Sequence, residues 1–70
     1  MTTYHYRPFG VKGYNKNIEA DHMLQAIKKL QDMKAIGGVQ TEPITEHSWN
    51  LRSLHTKKIF AIIYVKMEDN

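Results

Sequence analysis

Lys57-Lys58-Ile59-Phe60-Ala61-Ile62-Ile63-Tyr64-Val65-Lys66-Met67 is the stretch on which the fold turns. Its interior is β-branched and aromatic, contains no Gly or Pro, and is flanked by lysines. That is the composition of a strand, and the apolar run is too short to span a membrane. Alternation sends Ile59, Ala61, Ile63, Val65 and Met67 to one face and Phe60, Ile62 and Tyr64 to the other. Both faces are apolar, so the strand needs cover on both sides, and prolines in both of the other expected strands, which point those to edges, leave it the centre of the sheet.

Working outward, 51–56 reads as the connection into this strand. It lacks Gly and Asn-Gly, which excludes a tight two-residue hairpin turn. Residues 39–50 alternate as a second strand, weakened at Pro43, which argues for an edge or a bulge. Residues 18–36 predict the helix. Met33, Ala26, Leu30, Met23, Ile27, Ala20 and Leu24 fall on one side at about 100° per residue. Glu19 and Asp21 in the first turn and Lys34 in the last suit the helix dipole, Asn15 or Asn17 supplies the N-cap, and Gly37-Gly38 the stop. Residues 2–12 read as a first strand, with Pro8 again pointing to an edge. The expected fold is α+β with order β-α-β-β: one amphipathic helix on one face of a three-stranded, mainly antiparallel sheet. A single domain covers 1–67, and 68–70 form a short solvated tail. One helix covers one face, so the face carrying Phe60, Ile62 and Tyr64 has no cover within the chain.

Size sharpens that problem. A chain of 70 residues buries only about 60% of the surface its unfolded form exposes, and small domains make up the difference with disulfides, metals or oligomerisation. Cysteine is absent, which excludes disulfides and thiolate metal sites and fits a reducing compartment. The chain has no signal-like opening and no long apolar run, so the expected setting is cytoplasmic, without a membrane partner. The formal charge of +3 tolerates an acidic partner without demanding one.

Tyr4, Tyr6, Phe9 and Trp49 are the aromatic residues that can join Phe60, Ile62 and Tyr64 on the open face. Such a cluster serves a subunit interface or a platform for flat ligands and unstacked bases. The interface reading leads, because a core this small needs the extra burial. His5, His22, His47 and His55 do not share a metal-ligand spacing, and no cysteine completes a set. Ser48 beside His47 would point to the opposite strand face, and no nucleophile elbow is present. Glu42 and Glu46 would stand about 13 Å apart along a strand, beyond glycosidase spacing. Residues 7–16 combine basic, aromatic and glycine residues before a helix start but match no phosphate-binding motif. No enzyme is expected.

The β-α-β-β order and the strand lengths resemble the dodecins, small flavin binders that assemble into hollow shells. In that family an aromatic residue just past the helix stacks on the flavin; Gly37-Gly38-Val39 stands there in this chain. A Gln on the last strand of that family has no counterpart in Ile59-Phe60-Ala61-Ile62-Ile63. The resemblance implies oligomerisation rather than flavin binding, and no cofactor is expected. The leading expectation is a non-enzymatic, homo-oligomeric binding module that holds a small ligand or partner protein at a subunit junction. A small inhibitor or adaptor of the kind phages and mobile elements encode fits the same size. The alternative is a single-stranded nucleic-acid binder, using the aromatic face with Arg7, Lys12, Lys16, Arg52, Lys57 and Lys58.

Overall fold

A computed structural model describes residues 2–10 and 15–66. The described chain runs β1 (Thr2–Pro8), β2 (Lys16–Ala20), α1 (Met23–Asp32), β3 (Val39–Thr45), β4 (Ser48–Ser53) and β5 (Ile59–Val65). The class is α+β, but the sheet has five strands rather than three, in the order β2-β1-β5-β4-β3 with every neighbouring pair antiparallel. As expected, β5 takes the centre.

Two segments expected to be single elements are each divided. Residues 18–20 belong to β2, where Ile18 and Ala20 are buried and Glu19 between them is exposed, the period of a strand. Ala20 sits in phase with the helical stripe by coincidence. The helix therefore starts at Met23, capped not by Asn15 or Asn17 but by His22, whose Nδ1 accepts from the Gln25 N–H at 3.2 Å. Its first turn carries no acidic residue. It stops before the glycines. Lys34 adopts a left-handed φ of 59° and donates its N–H to the Gln31 carbonyl at 2.9 Å, while the Ala35 N–H reaches Leu30 O at 3.0 Å. That is a Schellman ending built on a lysine instead of a glycine.

Residues 39–50 are likewise a hairpin rather than one strand. Glu46-His47 forms the turn, the Thr45 and Ser48 hydroxyls meet at 2.7 Å, and the His47 N–H reaches Thr45 Oγ1 at 3.1 Å. Neither turn residue has a positive φ, so this is not the primed turn that matches strand twist. A register shift between Pro43 and Thr45 takes up the mismatch. Leu51, Arg52 and Ser53, expected in a loop, extend β4.

The prolines sit where the ladder asks nothing of them. Ser53 donates to Lys58 O, and Val65 donates to His47 O, so the odd residues of β4 bond towards β5. Pro43, opposite Trp49, therefore has its nitrogen on the free edge of β3, as expected for a proline at an edge. Pro8 does not place β1 at an edge; β1 lies between β2 and β5. Pro8 escapes by lying past the start of β2, which begins at Lys16 opposite Tyr6.

Residues opposite one another in an antiparallel register share a face. Tyr4, Tyr6, Ile18, Ala20, Leu51, Ala61 and Ile63 make up the face covered by Ala26, Ile27 and Leu30 of α1 and by Ile36 just beyond it, and all are buried. The helix starts beside the end of β2 and its exit leads into the start of β3, so α1 and the segment after it cross the sheet diagonally.

Two measurements test this packing. Leu51→Ala, at a fully buried position, is expected to cost about 2–5 kcal/mol in urea unfolding, against under about 0.5 kcal/mol for Leu24→Ala on the exposed side of α1. Lys34→Gly is expected to stabilise by about 0.5–1 kcal/mol by relieving the left-handed lysine; a loss of stability would show that the lysine side chain matters more than its backbone.

Candidate functional site

The uncovered face of the sheet follows from the same registers. His5 pairs with Tyr64, Arg7 with Ile62, Asn50 with Ile62 and Ser48 with Tyr64. Thr3, Asn17, Glu19, Gln40 and Glu42 fall on this face by alternation along β1, β2 and β3. At its centre Ile62 and Tyr64 are half-buried by their strand neighbours alone. No helix lies over them among the described residues.

The composition of this face differs from the expectation at five positions. A register shift between Leu51 and Arg52 places Arg52 opposite Ile59 while Leu51 stays opposite Ala61. Phe60 is the extra residue of that bulge, and it packs against the covered core instead of facing outward. Ile59 takes its place on the open face beside Arg52. Tyr4 and Tyr6 are buried in the covered core, and Trp49 packs against that core from its margin. The Tyr4 and Trp49 ring centroids lie 6.3 Å apart. Burial pushes the Tyr6 phenol above its ordinary pKa. Phe9 stays exposed, but in the turn that follows β1, where its N–H donates to Phe60 O. Of the seven expected site residues, Ile62 and Tyr64 remain on the open face.

What sequence reasoning missed is the polar frame around them. The His5 ring tilts against Tyr64 with centroids 5.1 Å apart, and His5 Nδ1 donates to Asn17 Oδ1 at 2.7 Å. Strict alternation places His5 opposite the buried tyrosines, so half of this pairing was readable; its register against Tyr64 was not. Each nitrogen of Arg52 has a partner. Nε and Nη2 hold Glu42 in a bidentate pair at 2.9 and 3.0 Å, and Nη1 donates to Lys57 O at 2.7 Å. This pair brings its two groups together from neighbouring strands, an arrangement that only the β3–β4 register reveals. The guanidinium lowers the Glu42 pKa, chiefly through its hydrogen bonds, and Glu42 in turn raises that of Arg52.

The remaining expected cations are dispersed. Arg7 is exposed on the open face, Lys16 begins β2, and Lys57 and Lys58 lie in the connection before β5; Lys12 and Met67 fall outside the described residues, as do residues 68–70. His22 caps the helix, His47 stands 4.0 Å from Glu46 in the β3–β4 turn, and His55 occupies the β4–β5 turn. Glu46 lies in a turn and Glu42 holds Arg52, so these two carboxylates do not act as a pair.

Two open grooves flank the helix side of the sheet. One, of about 620 Å³, lies between the segment after the helix and the β4–β5 turn, with Ile36, Val39, Leu54 and Phe60 among its walls. The other, of about 710 Å³, runs along the free edge of β2, walled by Ile18, Lys29, Asp32 and Met33.

Comparison with protein-family models, curated proteins and solved structures finds no match. The β-β-α-β-β-β order also removes the topological likeness to the dodecins, which rested on three strands. No helix among the described residues is long and apolar enough to cross a membrane.

The Arg52–Glu42 pair carries a pH signature. Because the folded-state pKa of Glu42 is depressed, its contribution to stability is present above the ordinary carboxylate value of about 4.5 and is lost as pH falls through the lower folded value. Thermal unfolding from pH 7 to pH 2 is expected to show a steeper acid loss in the natural protein than in Glu42→Gln. Parallel curves would show that the pair contributes nothing.

Proposed function

We propose that the protein is a non-enzymatic binding module that works as a homo-oligomer and presents the uncovered face of its sheet to a small ligand or a partner protein. The observation that carries this reading is the placement of Ile59, Ile62 and Tyr64 together on the open face. Arg7, His5 and Asn50 surround them, and nothing in the described chain covers them. An apolar strip with a rim of donors is the anatomy of a recognition surface, where aromatic residues and Arg are enriched. The small core supports the oligomer, because a domain of this size gains stability by burying more surface against a copy. The cytoplasm is the proposed setting, since a chain without cysteine draws nothing from an oxidising compartment.

Single-stranded nucleic acid is the weaker occupant. Base-stacking platforms need several aromatic side chains on one surface, and of those the sequence offered, Tyr64 alone remains on the open face. Arg52, one of the expected phosphate contacts, is held by Glu42.

Light scattering at micromolar concentration is expected to give a dimer or larger species; a monomer removes the homo-oligomer from the proposal. Native mass spectrometry of protein purified from cells is expected to show a bound species that Ile62→Glu loses and Leu24→Glu retains. Equal retention by both variants, each verified as folded by circular dichroism, removes the open face from the proposal.

A further inference from the structure

The free edge of β2 is treated unevenly by the helix beside it. In β1, Thr3 O accepts from Lys66 and the Phe9 N–H reaches Phe60 O, so its odd residues bond towards β5 and its even residues towards β2. Opposite those even residues stand Lys16, Ile18 and Ala20; the backbone groups of Asn17 and Glu19 therefore point outward. The helix reaches across to part of this edge. Gln25 Oε1 accepts from the Asp21 N–H at 2.7 Å, and Lys29 Nζ donates to Glu19 O at 2.5 Å. Neither bond reaches the stretch that precedes the Glu19 carbonyl. The Asn17 N–H and C=O and the Glu19 N–H have no partner within the described chain, and the Glu19 oxygen retains a second lone pair.

That stretch is complementary to itself. Resting on the homo-oligomer reading above, we propose that β2 pairs antiparallel with β2 of a second copy, with Ile18 on the two-fold axis. In this register Asn17 faces Glu19 of the second copy, and the two exchange backbone bonds; the symmetric pair does the same. On the open face the Asn17 Oδ1 is held by His5, which leaves the Asn17 amide group to donate to the Glu19 carboxylate opposite. The isolated pairings thus match donor to carboxylate twice, with no like charges opposed. On the helix side Ile18 meets Ile18, and Lys16 faces Ala20. The groove beside the edge carries Lys29, Asp32 and the exposed Met33, opposite charges and an apolar contact of the kind a two-fold related copy can satisfy. The two-fold keeps both open faces on one side, so their β5 strips share a single continuous ten-stranded surface.

Glu19→Pro removes an outward N–H and the carboxylate opposite Asn17 while leaving the bonds from β2 to β1 in place, and it is expected to abolish the dimer in native mass spectrometry while retaining the circular dichroism of the natural protein. Ile18→Cys supplies a second readout. Residues 18 of the two copies form a non-hydrogen-bonded pair with Cα atoms about 4.5 Å apart, within disulfide reach. The chain has no other cysteine, so mild oxidation is expected to cross-link this variant but not Lys16→Cys, whose counterpart lies about 13 Å away. An oligomer that survives Glu19→Pro and fails to cross-link at residue 18 overturns the β2 interface and leaves the homo-oligomer standing. A monomeric natural protein overturns both.

Discussion

The contact between Tyr4 and Trp49 marks the constraint on which the structure depends: among the described residues, one short helix must close one face of five strands. Ten helical residues extend about 15 Å at 1.5 Å each, while five strands spaced about 4.8 Å apart make a sheet about 19 Å wide between its outer axes. The helix is also thin on the side it presents, with Ala26 among its three buried residues. Large side chains rising from the sheet fill what it leaves. Tyr4 on β1 and Trp49 on β4 reach over the strand between them and meet at 6.3 Å. Tyr6 and Phe60 are drawn to the same side. An aromatic ring on this sheet stabilises more as core than as platform, because burying one removes far more apolar area from water than an exposed stack does.

Phe60 shows how locally that choice is made. Regular alternation would expose it beside Ile62 and Tyr64. One bulge opposite Leu51 and Arg52 reverses the sense of the strand start, so Phe60 and Ala61 both serve the core and Ile59 emerges opposite Arg52. Bulges insert a residue without altering composition, and the run Ile59-Phe60-Ala61-Ile62-Ile63 reads equally well with or without one. The central place of β5, the presence of the helix and one uncovered face were legible because each follows from hydrophobic pattern over many residues. The occupancy of that face was not, because it depends on a single register shift.

The divided elements have a similar cause. Ala20 satisfies both a strand period and the first turn of a helical stripe, and only the pairing of Ala20 with Thr2 and of Ile18 with Tyr4 decides between them. The β3–β4 turn gave no signal because Glu46-His47 contains neither Gly nor Asn; it is held by the Thr45 and Ser48 hydroxyls. The proline at 43 was informative in the expected sense, since a residue without an N–H belongs where no ladder bond is due. Pro8 meets the same requirement by a route that residue type alone does not disclose, the early end of a neighbouring ladder.

Edges and faces are then managed with the same few side chains. On β3 the outward position opposite Trp49 is a proline, which offers no donor to a stray strand. On β2 the helix lends Gln25 and Lys29 to the backbone at Asp21 and Glu19, and the protection thins at Asn17. That residue is also where edge and open face join. Tyr64 packs against His5 with the two rings tilted, and His5 holds the carbonyl of the Asn17 side chain. A ring anchored on the central strand thereby fixes which way an edge amide presents its donors. The strip on β5 and the gap on β2 are thus two ends of one row of contacts, and a second copy seated at the gap would extend the strip rather than compete with it.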